Sequence, residues 1–280
     1  MPAAAAGRKH RRASLERRPA RGYGPPPVRV LLLADVHSNF AALEAVWREA
    51  SAEPLDAVLF AGDLVDYGTD PLPCVAWLRQ HATAAVRGNH DHAVAQRVPA
   101  RGGGGFKALA AATRPLHWDL LTPRTLKYLG RLPLTRYHHE QGRTFFLVHG
   151  TPRDPMDEYL GEDADQWRQR LDGVDADYVV CGHTHRAMVL DVDGTRVVNP
   201  GSVGQPRDGR VGAAYAIVTD DGVDLRVAAY DAARAVRQVR RSDAPPWAAD
   251  LTEAVLATGG EMAKAEMNRF VPGEYLRPGE

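Results

Sequence analysis

Cysteine is nearly absent from this 280-residue chain: Cys74 and Cys181 are its only two. A disulfide framework is thereby excluded, and a reducing compartment suits the chain better than a secreted one. No stretch approaches the roughly 18 apolar residues of a membrane span, so the chain is expected to be soluble and cytoplasmic. Net charge is absent too, at +0, which excludes a protein whose whole surface binds polyanions. Internal repeats are missing. What remains, 44% hydrophobic and 25% charged residues, is the balance of a globular protein rather than a disordered one. The length is enough to bury a core without staples.

The neutrality is unevenly spread. Residues 1–27 carry Arg8, Lys9, Arg11, Arg12, Arg17, Arg18 and Arg21 against Glu16 alone, a balance of +6 that leaves −6 on the rest. This segment is rich in Ala, Arg and Pro and has no apolar periodicity or secretory apolar centre. Ser14 is its only serine, which argues against an organellar transit peptide. It is expected to be a disordered basic tail, and the only part of the chain with a prospect of touching nucleic acid. The remainder is acidic and holds many of the 11 histidines, which hints at bound cations.

The body reads as residues 28–242, with 243–280 as a helical extension and tail. Val28–Ala34 and Leu55–Ala61 are apolar runs, as expected of strands buried on both faces. Helices are expected over Asn39–Ala50 and Pro73–His81, so strands and helices alternate. Helices at Phe106–Leu121 and, with Thr122 as N-cap, to about Gly130 follow four consecutive glycines. Those glycines lack a following Lys-Ser/Thr, so they are read as a mobile connection and the edge of a lid, not as a phosphate cradle. From Leu134 strands dominate, with hairpin turns at Asp193-Gly194 and Asp221-Gly222. Helices at Asp231–Arg241 and Trp247–Thr258 close the chain. Two sheets packed face to face with helices outside, an α/β (α+β) arrangement, fit this mixture better than one open sheet.

Five short clusters each follow an apolar strand: Asp35-Val36-His37, Gly62-Asp63, Gly88-Asn89-His90-Asp91, His149-Gly150 and Gly182-His183-Thr184-His185. Residues just beyond buried strands converge on one rim, where ligands bind. The side chains are Asp, Asn and His without Cys, a set that suits borderline-to-hard divalent metals such as Mn²⁺, Fe²⁺ or Zn²⁺. The Asp-x-His and His-x-His spacings put both side chains on one side of an extended segment. Seven donors exceed the needs of one ion, whereas two ions sharing a carboxylate would use them all, as in the clamp that hydrolyses phosphoesters. Each cluster alone is a weak signal; five in this order are a strong one. His10, His81, His117, His138 and His139 are assigned to surface or core, and Cys181 to the core.

These motifs resemble the signature of the calcineurin-like metallophosphoesterase superfamily, and Asn199-Pro200-Gly201-Ser202 with Gly204–Gly209 resembles its small bacterial and archaeal phosphodiesterase-type branch. The resemblance spans about Val28 to Tyr230. It implies a four-layer αββα sandwich of two mixed sheets with a dinuclear centre between the sheet rims. It further implies that Asp35, His37 and His185 bind one metal, that Asn89, His149 and His183 bind the other, and that Asp63 bridges them. Two divalent ions are implied, Mn²⁺ first, with Fe²⁺, Zn²⁺, Ni²⁺ or Co²⁺ as substitutes. A bridging water made acidic by both ions is the expected hydroxide nucleophile. His90 is implied to face the substrate as general acid. Asp66 is either its hydrogen-bond partner, favouring the protonated imidazole, or an Asx-turn residue.

The expected activity is hydrolysis of phosphodiester or phosphoanhydride bonds in small phosphorylated substrates or nucleotides. Phosphomonoesterase or protein phosphatase chemistry on the same centre is the alternative, and a regulatory protein binding nucleic acid or a partner through its tail is the alternative of another class. The preference for diesters rests on one departure: in Gly62-Asp63-Leu64-Val65-Asp66-Tyr67-Gly68, Tyr67 stands where the family's protein phosphatases carry a phosphate-gripping arginine. A phenol offers one neutral donor and an aromatic face instead of paired cationic donors. The preference holds only if no other arginine, Arg207 above all, supplies that grip.

Overall fold

The computed structural model describes residues 28–277; the tail expected over 1–27 lies outside the described residues. Ten strands form two five-stranded sheets. In the first, β1 (Arg29–Leu33), β2 (Ala57–Phe60) and β3 (Ala84–Ala85) run parallel. β9 (Ala213–Thr219) pairs antiparallel to β1, and β10 (Gly222–Ala228) forms the edge. The second sheet has the order β4 (Thr135–Glu140), β5 (Arg143–Val148), β6 (Tyr178–Val180), β8 (Thr195–Asn199), β7 (Met188–Val192), with β5, β6 and β8 parallel. All the parallel strands therefore end at the same rim.

The interface between the sheets is apolar. Val30, Leu32 and Leu59 meet Phe145, Leu147, Val180 and Val198 there. The alternate residues of β1, Leu31 and Leu33, face outward onto Leu43 and Val46 of α1 (Phe40–Ala50) and onto α2 (Pro71–His81). Because both faces of β1 are covered, its run is apolar throughout rather than alternating. Trp167 of α6 (Ala164–Arg170) covers the outer face of the second sheet. This is the αββα sandwich, built from two mixed sheets.

The remaining helices form a third side. α4 (Gly105–Leu120) packs Ala108, Leu109 and Ala112 against Leu251 and Val255 of α8 (Pro246–Ala257) and Met267 of α9 (Lys264–Met267). α7 (Ala232–Arg240) adds Val239 to the same cluster. The four-glycine segment is not a free lid edge: the N–H groups of Gly103 and Gly104 both donate to the carbonyl of Tyr275 in α10 (Gly273–Leu276). α3 (Asn89–Ala95) and α5 (Pro123–Arg131) complete the chain, the latter capped by Thr122 as its sequence indicates.

Candidate metal centre

The five clusters follow β1, β2, β3, β5 and β6, and the loops that carry them are laced together by their backbones. Asp35 N–H donates to Gly62 O (2.9 Å), His37 N–H to Asp63 O (3.1 Å) and Gly182 N–H to His149 O (2.9 Å). Asp35, His37, Asp63, His183 and His185 all hold positive φ, from 48° to 67°. Non-glycine residues adopt this region at a cost of roughly 1 kcal/mol or more each, and such residues cluster at functional sites. Asp91 offsets part of that cost. Its carboxylate accepts the N–H groups of Asp63, Leu64, Val65 and Gly88 and so moulds the loop after β2. At Gly88 a Cβ would stand 2.1 Å from Asp63 Oδ1, so glycine is required for Asp63 to approach α3.

The side chains form two groups. Asp35, His37 and His185 lie together, and so do Asp63, His149 and His183, every one of them buried. His37 Nε2 is 3.2 Å from His185 Nε2, and His149 Nε2 is 3.2 Å from both His183 Nδ1 and Asn89 Oδ1. Asp63 stands between the groups, its Oδ2 3.1 Å from His149 Nε2 and 3.8 Å from His37 Nε2. Its other oxygen accepts the N–H of His90 (2.9 Å), whereas Oδ2 is buried and meets only the imidazole nitrogens of the two groups. The outer nitrogens of three imidazoles face backbone carbonyls: His37 Nδ1 on Val65 O, His149 Nδ1 on Ala61 O, His185 Nδ1 on Gln205 O. A ring that donates outward points a lone pair inward, the usual support for a metal-binding histidine. Two inward lone pairs 3.2 Å apart repel unless a proton or a cation lies between them. The Asp63 oxygen between the two groups and the all-O/N donor set thus fit divalent cations.

The charges tell the same story. Burial, then the charge on His90 and Arg207, outweighs the attraction of Asp63 and Asp66 and holds His37 well below the usual imidazole range. Burial likewise depresses His185, and lowers His183 to about 3. Neutral imidazoles are the form that ligates. His149 is the exception: burial alone would lower it, but Asp63 and Asp35 raise it to about 9. Asp63 itself, despite burial, is held well below the carboxylate range by His149 and His90. Burial raises Asp35 to about 7.

His90 and Asp66 meet. His90 Nδ1 donates to Asp66 Oδ2 at 2.7 Å, while Asp66 Oδ1 accepts the N–H of Tyr67, one residue on and so short of the two-residue span of an Asx turn. Arg114, not singled out in the sequence, reaches from α4 to the same Oδ2 through Nε (2.7 Å) and Nη2 (2.6 Å). Burial pushes the Asp66 carboxyl up, yet the His90 hydrogen bond and the charges of His90 and Arg114 bring it far below the usual range. His117 is no ligand, but neither is it filler: it is buried beneath the site, within 3.0 Å of Ser38 Oγ and accepting the N–H of Asp66. His81 stacks on Trp47 and Trp77, and burial raises the Cys181 thiol, as core roles require.

Tyr67 is buried, its ring against those of His37 and His90, each 4.6 Å away. Arg207 stands beside it, Nη2 3.4 Å from the Tyr67 hydroxyl and its guanidinium 4.2 Å over the Phe106 ring. Tyr159 lies over His183, ring centroids 3.8 Å apart. Arg207, the arginine on which the diester preference was made conditional, thus stands beside Tyr67. Phe106 and Tyr159 carry no sequence signal, since each is an isolated aromatic in a loop or at a helix start.

Comparisons with known proteins identify the family. The family model described as the calcineurin-like phosphoesterase superfamily domain matches residues 28–222. An uncharacterized protein of Methanocaldococcus jannaschii is 29% identical over 240 residues, covering 78% of this chain and 94% of that protein. A metallophosphoesterase crystal structure from Sphaerobacter thermophilus matches with a TM-score of 0.68 and 31% identity, covering 83% of this chain and 99% of that one. A hypothetical protein from Pyrococcus horikoshii OT3 matches with a TM-score of 0.71 at 20% identity, over 84% of this chain and 100% of that one.

Proposed function

Because the chain belongs to the calcineurin-like phosphoesterase superfamily and is a phosphoester hydrolase, we propose that it cleaves small phosphorylated substrates with two divalent cations, Mn²⁺ foremost. Asp35, His37 and His185 would hold one cation; Asn89, His149 and His183 the other; Asp63 would serve both. The observation that carries this reading is the buried Asp63 Oδ2 atom, which faces an imidazole nitrogen of each group, His149 Nε2 at 3.1 Å and His37 Nε2 at 3.8 Å.

When bound, such a pair of ions supplies an acidified water and a clamp for phosphoryl oxygens. The chain's own residues do the rest. Asn89 offers its carbonyl oxygen, the amide nitrogen having no available lone pair. The Asp66 carboxylate fixes one nitrogen of His90, so the other is left to carry a proton toward the leaving oxygen. Arg114 locks that carboxylate in place. The walls of Tyr67 and Tyr159 restrict the approach to the two groups.

The test is metal analysis of the purified protein with a screen of model esters. Chelation should abolish hydrolysis, and Mn²⁺ should restore it. Full activity in metal-free protein would refute the reading.

A further inference from the structure

Arg207 differs from the other arginine beside the site. Arg114 ends on a carboxylate, whereas the side-chain partners of Arg207 are Gln205 Oε1 (2.9 Å) and the hydroxyls of Tyr67 and Tyr159, all neutral. Its Nε is buried without an acceptor. A guanidinium carries five N–H donors, and an unmet buried one is costly. Its positive charge nonetheless faces the centre, where it acts on Asp35, His37 and His185.

The side chain is also held. Its guanidinium lies 4.2 Å over Phe106 and 5.9 Å from the Tyr67 ring centre. Its backbone is tied to His185 through the 3.3 Å bond from Arg207 N–H to His185 O. From behind, the residues after α8 brace the same loop: Gly209 N–H donates to Gly259 O, and a Cβ on Gly260 (φ 70°) would fall 1.8 Å from Pro206 O. A cation held in place, short of acceptors and beside the phosphoryl site is organised for an anion.

We infer that Arg207, positioned by Phe106 and Tyr67, receives an unesterified oxygen of a terminal phosphate, so that the site favours terminal phosphates over internal diesters. The inference rests on the phosphoesterase reading above and adds the substrate class. A terminal phosphate has three unesterified oxygens and two negative charges; an internal diester has two oxygens and one charge. Where two cations would draw on the phosphoryl oxygens, the terminal group offers a guanidinium a third oxygen and a second negative charge, and the internal diester offers neither. Monoesters and the terminal phosphates of anhydrides share that feature. Arg207 thus supplies, from a loop 140 residues away in sequence, the grip that Tyr67 lacks. Phe106 is a positioning residue acting through Arg207.

The test compares 4-nitrophenyl phosphate with bis(4-nitrophenyl) phosphate, which share a leaving group, on the full-length Mn²⁺-loaded protein. The wild type should show the higher kcat/KM on the monoester. Arg207→Ala should lower that value on the order of 10- to 100-fold, as for lost hydrogen bonds to a charged group, and change the diester value less than about 3-fold. Calorimetry should show inorganic phosphate binding weakened by a similar factor, with unchanged metal content. Phe106→Ala should raise KM for the monoester more than it lowers kcat, by roughly 3- to 30-fold for a lost cation–π contact, and Phe106→Trp should restore it. A wild-type preference for the diester, equal losses on both esters, or unchanged phosphate affinity in Arg207→Ala would each overturn the inference. Wild-type protein that holds no metal and cleaves neither ester would instead refute the underlying reading.

Discussion

His90 and His149 sit in the same pocket yet have opposite tasks. His90 is tied to Asp66 at 2.7 Å, and its second nitrogen is spare. His90→Ala should leave metal content unchanged and cut turnover of esters with poor leaving groups about 10²- to 10⁴-fold, the range of a general acid. With nitrophenolate leaving, the steady-state loss should be smaller; equal losses would mean that His90 only positions charge. His149 meanwhile holds a proton where a cation would bind, with its pKa raised from 6.5 to about 9 by Asp63 and Asp35 against burial. A raised histidine stabilises the fold fully below its unfolded pKa and loses that contribution as pH rises through the folded one. The depressed histidines are neutral by pH 7, and Asp35 and Asp91, each raised to about 7, give up their protons across pH 7 to 8 with the same sign, stability falling as pH rises. The Tm of metal-free protein should therefore fall between pH 7 and 9, while the Tm gained on adding Mn²⁺ should grow, because the ion displaces the His149 proton. Differential scanning calorimetry reads both; a metal-free Tm that is flat or rises across the window would contradict the account.

At the scale of elements, the strands and the clusters behind them were legible because burial on two faces leaves an unbroken apolar run, as in Leu31-Leu32-Leu33. The longer helices were legible through caps and periodicity, as at Thr122-Pro123. α3 and α6 were not, since each has seven residues, too few for an amphipathic period, and α3 is occupied by the Asn89-His90-Asp91 motif itself. Of the site, the seven candidate ligands and the Asp66–His90 pair were readable from motif order. Arg114 was not read and His117 was read only as surface or core, although polar residues at buried positions of α4 are a signal that a helical wheel would have raised. The junction of β3 and α3 makes a sharp prediction. Gly88→Ala places a methyl against Asp63 Oδ1 and the Asp63 backbone. It should destabilise the protein by about 1–3 kcal/mol, the usual range for a strained core change, and lower metal occupancy, as measured by denaturant unfolding and metal analysis. Unchanged occupancy would mean that Asp63 is not held by that contact.

Across the whole molecule, the parallel strands of both sheets deliver the two donor groups to one rim, and Asp63 joins them. Residues beyond 242 are not an appendage to that arrangement. Leu251 and Val255 of α8 are buried against α4, whose Arg114 reaches Asp66. Truncation after residue 242 should therefore lower both stability and turnover, and a truncated chain with wild-type Tm and rate would contradict this linkage. The central claim is that one carboxylate serves two cations. Its most direct test is metal analysis of Asp63→Asn beside the wild type, with the rate measured on the same samples. The account predicts about two equivalents of metal in the wild type, fewer in the variant, and a rate lower by roughly 10²-fold or more, beyond the 10- to 100-fold typical of losing a mere supporting partner of a ligand. Two equivalents of metal with wild-type activity in Asp63→Asn would contradict it.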